Sequence, residues 1–380
     1  MKTALIGLGY IGKVHLIALR TIPEVQEIVL VDSNIEECKK VAKIFGISRV
    51  YKDYREILEN KTIDVVHNCT PNNLHYEINL ACLEADKHVL SEKPLCLDAE
   101  NARSLITLAE KKKLHTAVNY CYRYYPSVQE AASKIESGAL GKIHTVKGAF
   151  LQDWLSTPRD YSWRLDPSFS GKSNTVADIG THWTDLFEFL TGSKIISVCS
   201  DLATIYPLRK KKLEGQDTFT KSNDSNGLST DISIELEDYA SILFKANNGI
   251  SGVFTVCQAC PGEKVSLNIS IFGEDGSLHW DHRNPTIHTI GMRDGFQIKH
   301  IDDPLQQDEC TAGFTTLPAG HPMGYHDALS NLFKEFYHQI KTGLPLYKGV
   351  PTFQEGLNAI NLVDAIIASA KEKRWVTVGD

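Results

Sequence analysis

Two rhythms of apolar residues divide this chain. Through the first 120 residues, short apolar runs alternate with stretches whose apolar positions recur every three or four. Thr3-Ala4-Leu5-Ile6 and Glu27-Ile28-Val29-Leu30-Val31 are runs of the first kind, as are 63–69, 88–91 and 115–119. Runs of this length predict strands buried on both faces. Between the first two, Ile11, Val14, Ile17, Ala18 and Ile22 share a helical face until Pro23 ends it, and further helices are predicted over 34–45, 74–85 and 98–113. Such alternation predicts an α/β fold, a doubly wound parallel sheet with helices on both faces.

From about residue 122 the period shortens to two. A helix over 127–136 precedes longer alternating strands over 143–152, 232–237, 241–246, 251–256 and 265–272. Turn residues punctuate them, as in Asn247-Asn248-Gly249 and Gly273-Glu274-Asp275-Gly276. The prediction is an α+β domain with a large, mainly antiparallel sheet. Helices cover one face, and the other is left open for a ligand or a partner subunit, a dimer or tetramer of this chain. The polar stretch 209–226 reads as a surface loop, and helices over 326–340 and 353–371 follow. A chain of 380 residues exceeds the usual reach of one core, and the predicted domains are 1–121 and 122–380.

Composition narrows the class. With 42% hydrophobic and 23% charged residues the chain is globular, and its net charge of -7 argues against nucleic acid. No apolar run approaches the roughly 20 residues of a membrane span. The first strand begins at residue 3, leaving no room for a signal peptide, so a cytoplasmic protein without a membrane partner is expected. The nine scattered Cys read as reduced, mostly buried thiols. Cys257-Gln258-Ala259-Cys260 is a lone C-x-x-C, more in keeping with a strand end than with zinc, and no metal is expected.

The chemistry concentrates at strand ends. Gly7-Leu8-Gly9-Tyr10-Ile11-Gly12 is a G-x-G-x-x-G placed between the first strand and the first helix. There Gly7 permits a tight turn, Gly9 lets the backbone approach a pyrophosphate, and Gly12 lets helix and strand pack closely. The helix N-terminus adds N–H donors and a positive dipole end. Asp32 ends the second strand, twenty residues past Gly12, where a Rossmann fold places the acid that accepts hydrogen bonds from the adenosine ribose. A carboxylate there repels a 2′-phosphate, and Ser33 and Asn34 bring no arginine, so NAD is expected over NADP. Ligands of such sheets sit past the carboxyl ends of the strands, which marks Thr70-Pro71-Asn72, Glu92-Lys93-Pro94 and Asn119-Tyr120.

Together, G-L-G-Y-I-G at 7–12, C-T-P-N-N-L-H at 69–75, S-E-K-P-L at 91–95 and D-I-G-T-H at 178–182 resemble the glucose-fructose oxidoreductase / inositol dehydrogenase (Gfo/Idh/MocA) family, over essentially the full length. The resemblance implies an NAD-dependent dehydrogenase that oxidises a secondary hydroxyl of a sugar, anhydrosugar or cyclic polyol by hydride transfer to nicotinamide. It implies Lys93 as a catalytic residue that hydrogen-bonds the reacting oxygen, His182 as the base, and Asp178 as its neighbour in the substrate site. The residues suit those roles. Pro94 lacks an N–H and holds the preceding residues extended. Asp178 and His182 stand four apart at the start of a helix whose Trp183, Leu186, Phe187 and Leu190 form a buried stripe. An imidazole titrating near neutrality suits a general base. The plainer alternative is an N-capping Asp with a partly exposed His.

Softer candidates surround these. The resemblance places Tyr10, Ile11, Ser33, Glu92 and Lys93 with the cofactor, and Thr70, Pro71, Asn72 and His75 at its nicotinamide end, with Asn72 and His75 reading equally as a helix N-cap and an exposed His. It places Asn119, Tyr120, Tyr122 and Arg123 near substrate or nicotinamide, where the aromatic run 120–125 otherwise reads as ordinary domain-interface packing. Trp154, Tyr161, Trp163 and Arg164 offer aromatic faces and a guanidinium to a sugar ring, or simply pack a surface loop. His321 and His326 reach the same region or begin a helix. Two rival activities stand beside the dehydrogenase: a glycoside-cleaving enzyme that uses held NAD for transient oxidation, and a non-catalytic NAD and sugar sensor. The second ranks last because the Lys and His of the motifs are both present.

Overall fold

The computed structural model describes residues 1–212, 229–301, 309–318 and 321–379. The chain divides into two compact units, one of Met1–Tyr124 with Gly324–Ile360, the other of Tyr125–Met323 with Asn361–Asp380.

The first unit is built on six parallel strands, β1 (Lys2–Ile6), β2 (Glu27–Val31), β3 (Val50–Tyr51), β4 (Val65–Asn68), β5 (His88–Ser91) and β6 (Thr116–Val118), in the order β3-β2-β1-β4-β5-β6. Helices α1 (Tyr10–Leu19), α2 (Ile35–Phe45), α3 (Arg55–Leu58), α4 (His75–Glu84) and α5 (Ala99–Lys112) connect them. The strand order reverses between β1 and β4, the place where such sheets open toward a ligand. Local chemistry sets the helix starts: the Asn34 side chain accepts the Glu37 amide and the Asp98 side chain accepts the Asn101 amide. Ala4, Ile6, Val29, Val66 and Val89 turn to one core, and Leu5, Leu30, Leu16 and Val41 to the other. Alternate residues of β1 thus feed both faces, as a fully covered strand requires.

Gly324–Ile360 packs with this unit, whereas the expected boundary leaves it in the second domain. Leu329, Leu332, Phe333 and Phe336 of the helix Tyr325–Thr342 are fully buried, and Phe353, Leu357 and Ile360 join the cluster holding Val66 and Val89. An apolar helical stripe announces that a helix buries a face but not which partner covers it.

The second unit holds α6 (Pro126–Glu136), α7 (Pro167–Ser170), α8 (Thr181–Thr191) and a mixed sheet. Its strands are β7 (Ile143–Leu151), β8 (Ile195–Ala203), β11 (Tyr239–Ala246), β12 (Ser251–Cys257), β13 (Ser266–Gly273), β14 (Ser277–Asp281), β15 (Ile287–Met292), β16 (Gly295–His300) and β17 (Val376–Thr377). β9 (Leu208–Lys212) and β10 (Ser229–Ser233) pair as a separate two-stranded ribbon. The nine-stranded order is β16-β15-β14-β13-β7-β12-β11-β8-β17, antiparallel except where β12 runs parallel to β7. Trp183 and Phe187 of α8 stack against each other, Trp183 stacks on Phe254, and both rings meet Phe244 edge-on, so one face is sealed by aromatics. On the opposite face Leu243 and Val253 lie side by side in register and remain well exposed.

Two expectations change here. The strand predicted over 232–237 is instead β10 ending at Ser233, followed by irregular backbone that buries Glu237 and Asp238. Of the loop predicted over 209–226, residues 209–212 are strand and Arg209 is fully buried, while 213–226 lie outside the described residues.

Candidate active site

In the first unit the glycine loop closes as a dinucleotide cradle must. Gly7 has φ +90, and a Cβ on it would stand 2.6 Å from the Cys69 carbonyl oxygen. A Cβ on Gly12 would stand 1.9 Å from the Gly7 carbonyl oxygen, so helix and turn can meet only through a bare α-carbon. Around Gly9 nothing lies within 4 Å of a Cβ, no side chain caps α1, and no acidic residue occupies its first turn. The open approach and the uncapped amide end fit a pyrophosphate. Asp32 aims its carboxylate at this loop: Oδ2 accepts the Leu8 amide at 2.7 Å and Oδ1 accepts the Asn34 amide at 2.8 Å. Tyr10 and Ser33 are exposed beside it and Ile11 is half-buried.

The next strand ends are joined by buried side chains. Asn68 accepts the Thr70 hydroxyl at 2.7 Å and donates to Asn79, which donates to Ser91. Pro71 is exposed and Asn72, half-buried, opens a single 3₁₀ turn. His75 is fully buried, with Nδ1 2.6 Å from the Pro94 carbonyl and Nε2 2.8 Å from that of Thr70. Its ring thus ties the E-K-P turn to the C-T-P turn. Burial draws His75 below its ordinary range, against the pull of those two carbonyls.

Glu92 is the centre of the cluster. Its Oε1 accepts from His15 Nε2 at 3.0 Å and from Asn119 Nδ2, and its Oε2 accepts the Lys93 backbone amide at 3.2 Å. Burial works against its charge, but the His15 hydrogen bond and charge, Lys93 and Asn119 outweigh it and hold the carboxyl at about 2. Behind it, His15 Nδ1 lies 3.2 Å from His67 Nδ1, His67 Nε2 lies 3.1 Å from the Tyr337 hydroxyl, and that hydroxyl lies 2.8 Å from Thr3 Oγ1. Sequence reasoning passed over His15, His67 and Tyr337. The one signal was a polar His67-Asn68 pair inside a strand otherwise buried and apolar. Tyr120, Tyr122 and Arg123 are also buried, and Lys93 is half-buried.

The second unit carries the D-I-G-T-H turn. Val176–Gly180 winds as a single π-helical turn that runs into α8. Such widened turns concentrate at functional sites. Ser173, Asn174 and Val176 all donate to the buried Glu237 carboxylate, at 2.6, 3.1 and 3.0 Å, which fixes the start of the turn. Burial raises the Glu237 pKa against these donors. Gln258 is locked in one orientation, because its Oε1 accepts from Asn174 and Thr175 while its Nε2 donates to Asp178 Oδ2 at 2.7 Å. The other Asp178 oxygen pairs with Arg164 Nε at 3.3 Å. The Arg164 guanidinium lies 4.5 Å from the Trp163 ring centre and 6.0 Å from that of Trp154. Tyr161 receives Lys211 in the same way at 5.1 Å. His182 is buried one turn after Asp178, near Phe150, rather than partly exposed. Capping by Asp178 does not describe the turn, since its carboxylate is taken by Arg164 and Gln258.

His321 and His326 are exposed. Among the described residues no group of three or more His, Cys, Asp or Glu is arranged to hold a metal ion, and no disulfide joins the cysteines. No helix of the described residues is long and apolar enough to cross a membrane.

Comparison with known proteins adds a separate line. Residues 1–120 match an oxidoreductase family with an NAD-binding Rossmann fold, and residues 128–279 match the Gfo/Idh/MocA C-terminal domain. Levoglucosan dehydrogenase of Pseudarthrobacter phenanthrenivorans is 29% identical over 402 residues, covering 100% of this chain and 98% of its own. Among solved structures, a levoglucosan dehydrogenase in complex with NADH and levoglucosan superposes with a TM-score of 0.87 at 27% identity, covering 100% of both chains. An oxidoreductase domain protein from Kribbella flavida gives 0.87 at 28% identity, covering 100% of this chain and 99% of its own.

Proposed function

The chain belongs to the Gfo/Idh/MocA oxidoreductase family, with residues 1–120 its NAD-binding Rossmann domain, and from that premise we propose that it oxidises a secondary hydroxyl of a neutral sugar, anhydrosugar or cyclic polyol. The observation that carries this reading is the fixed Asp178 carboxylate, held by Arg164 and Gln258 beside two indole rings and one turn before His182. Carboxylate, guanidinium and flat apolar faces are what a ring bearing several hydroxyls needs. The kinship with a levoglucosan dehydrogenase over both full lengths favours the same substrate class.

The loop of Gly7, Gly9 and Gly12 would hold the pyrophosphate of NAD, Asp32 the adenosine ribose, and the Thr70-Pro71-Asn72 turn the nicotinamide end. NAD, when bound, supplies the acceptor for the two electrons that leave the alcohol carbon. The residues do the rest. The Lys93 ammonium hydrogen-bonds the reacting oxygen and stabilises negative charge on it. His182 accepts the hydroxyl proton at a ring nitrogen, and Asp178 orients the hydroxyl and matches the charge gained.

A panel of inositols, aldoses and anhydrosugars tests the reading. Incubation with NAD is expected to accumulate NADH with at least one neutral sugar, and NADP to work poorly because Asp32 faces its 2′-phosphate. Sugar turnover without net reduction of NAD would instead identify transient oxidation with elimination, and no turnover of any member would overturn the assignment.

We also propose that copies of the chain associate across the open sheet face bearing Leu243 and Val253. The expected result is a native mass above one chain by light scattering, reduced to one chain when both are replaced by lysine. A monomeric native protein would count against it.

A further inference from the structure

We propose that Glu92 is a positioning residue for Lys93, clamped by His15 and Asn119, and that the column of His67, Tyr337 and Thr3 behind His15 keeps that clamp closed. The inference rests on the reading of Lys93 as a catalytic residue.

The carboxylate divides its two oxygens between different tasks. Oε1 collects His15 from α1 and Asn119 from the end of β6, while Oε2 takes the amide of Lys93 itself. The peptide from which the Lys93 side chain departs is thus fastened to the helix of the glycine loop and to the sheet's last strand. A turn can be held more cheaply by apolar packing, because burying a charge costs desolvation that its partner only offsets. Placing the charge directly before Lys93 makes sense if position is what matters, since misplacing a reacting group by about 1 Å costs on the order of 100-fold in rate.

The column explains why the clamp persists. An ionised carboxylate only accepts, so His15 Nε2 must carry its proton. The 3.2 Å contact between the two Nδ1 atoms holds a single proton. Either His15 donates it to His67, or His67 donates it to His15. In the first arrangement His15 carries a second proton and faces Glu92 as an imidazolium while His67 Nε2 donates to the Tyr337 hydroxyl; in the second, which holds one proton fewer, both imidazoles are neutral and His67 Nε2 accepts from that hydroxyl. The hydroxyls of Tyr337 and Thr3 rotate to suit both. Neither arrangement strands a buried donor or acceptor along the line, and Glu92 keeps its His15 donor throughout.

The test is a double-mutant cycle of Glu92→Gln and Lys93→Ala, read on the fastest sugar of the panel, with hydrogen exchange of the Lys93 amide measured in parallel. Glu92→Gln is expected to lower kcat about 100-fold, with KM for the sugar and affinity for NADH within about threefold of native. In the Lys93→Ala background it is expected to change nothing further. Exchange of the Lys93 amide is expected to quicken at least about tenfold as its charged acceptor is lost. Native kcat in Glu92→Gln, or an equal loss in both backgrounds, would overturn the proposal. Native kcat in Lys93→Ala would remove the reading of Lys93, and the positioning role with it. If no sugar is turned over, the exchange decides the clamp alone: unchanged protection overturns it and lost protection supports it. Should Glu92→Gln fail to fold, His15→Gln, which retains a donor toward Glu92, takes its place in the cycle with a smaller loss of the same non-additive kind.

Discussion

Lys93→Ala and His182→Ala are each expected to lower kcat by about 10²- to 10³-fold while NADH binds within about threefold of native affinity. The separation follows from where the residues stand. In the proposed assignment the pyrophosphate and adenosine ribose would be held by backbone at Gly7, Gly9 and Gly12 and by Asp32, none of which either substitution touches. In the proposed roles the chemical step loses, in one variant, the cation that would stabilise the developing oxyanion, and in the other the acceptor of its proton. The two losses differ in form. Without the Lys93 ammonium the oxygen keeps only weaker donors, and added small amines are expected to restore part of the rate. Without the His182 imidazole the proton must leave to water, so the rate is expected to rise with pH as hydroxide takes the part of the base. Steady-state kinetics across pH, with NADH binding followed by nicotinamide fluorescence, reads both. Native rates in both variants would dismiss the assigned roles.

What could be read beforehand was whatever the chain writes locally. The strands 88–91 and 27–31 stood out because a buried parallel strand has no polar face to disguise it. Asp32 and the three glycines stood out because a cradle of backbone demands fixed residues at fixed offsets. Asp178 and His182 were legible as a pair four apart, but the π turn was not, because nothing in V-A-D-I-G distinguishes it from an ordinary helix start. What anchors the start of that turn is Glu237, some sixty residues on, in a segment that alternates like a strand. The parallel pairing of β7 with β12 was hidden for a related reason: the alternation of each strand fixes its faces, and only the topology fixes its neighbour. β16 was missed because its alternation is only two apolar residues long, Phe296 and Ile298, and both stay exposed on an edge strand rather than marking a buried face. Charge misled at Arg209, where a run of basic residues looks like solvated loop until the partner of one of them is found.

That partner sets the second large effect. Arg209→Met is expected to destabilise the second unit by about 3–5 kcal/mol. The guanidinium, wholly buried, donates from Nη1 to the carbonyls of Thr157 and Asp160 at 2.8 and 2.9 Å, and from Nη2 to the Leu155 carbonyl and Asp238 Oδ1 at 3.0 Å. Asp238 is buried as completely and also accepts the Tyr206 amide at 3.1 Å. Methionine fills similar volume but leaves an unpaired buried carboxylate and three carbonyls without their donor. Tryptophan fluorescence during urea unfolding reads this unit alone, because all five tryptophans, 154, 163, 183, 280 and 375, belong to it. Removing the orphaned charge as well, in Arg209→Met with Asp238→Leu, is expected to recover only part of the loss. The Tyr206 amide and the carbonyls of Leu155 and Asp160 still lack partners, each worth about 1–3 kcal/mol when buried and unsatisfied, while the Thr157 carbonyl keeps the Asp160 amide. A consequence for catalysis follows from the same bonds. The carbonyls of Leu155, Thr157 and Asp160 belong to the loop between Trp154 and Trp163, the residues that flank Arg164. Loosening that loop is therefore expected to raise KM for the sugar more than it lowers kcat at a temperature where the variant is folded. A loss below about 1 kcal/mol, the ordinary worth of an exposed ion pair, would mean that water reaches Asp238 and the pair is not sealed as its geometry requires.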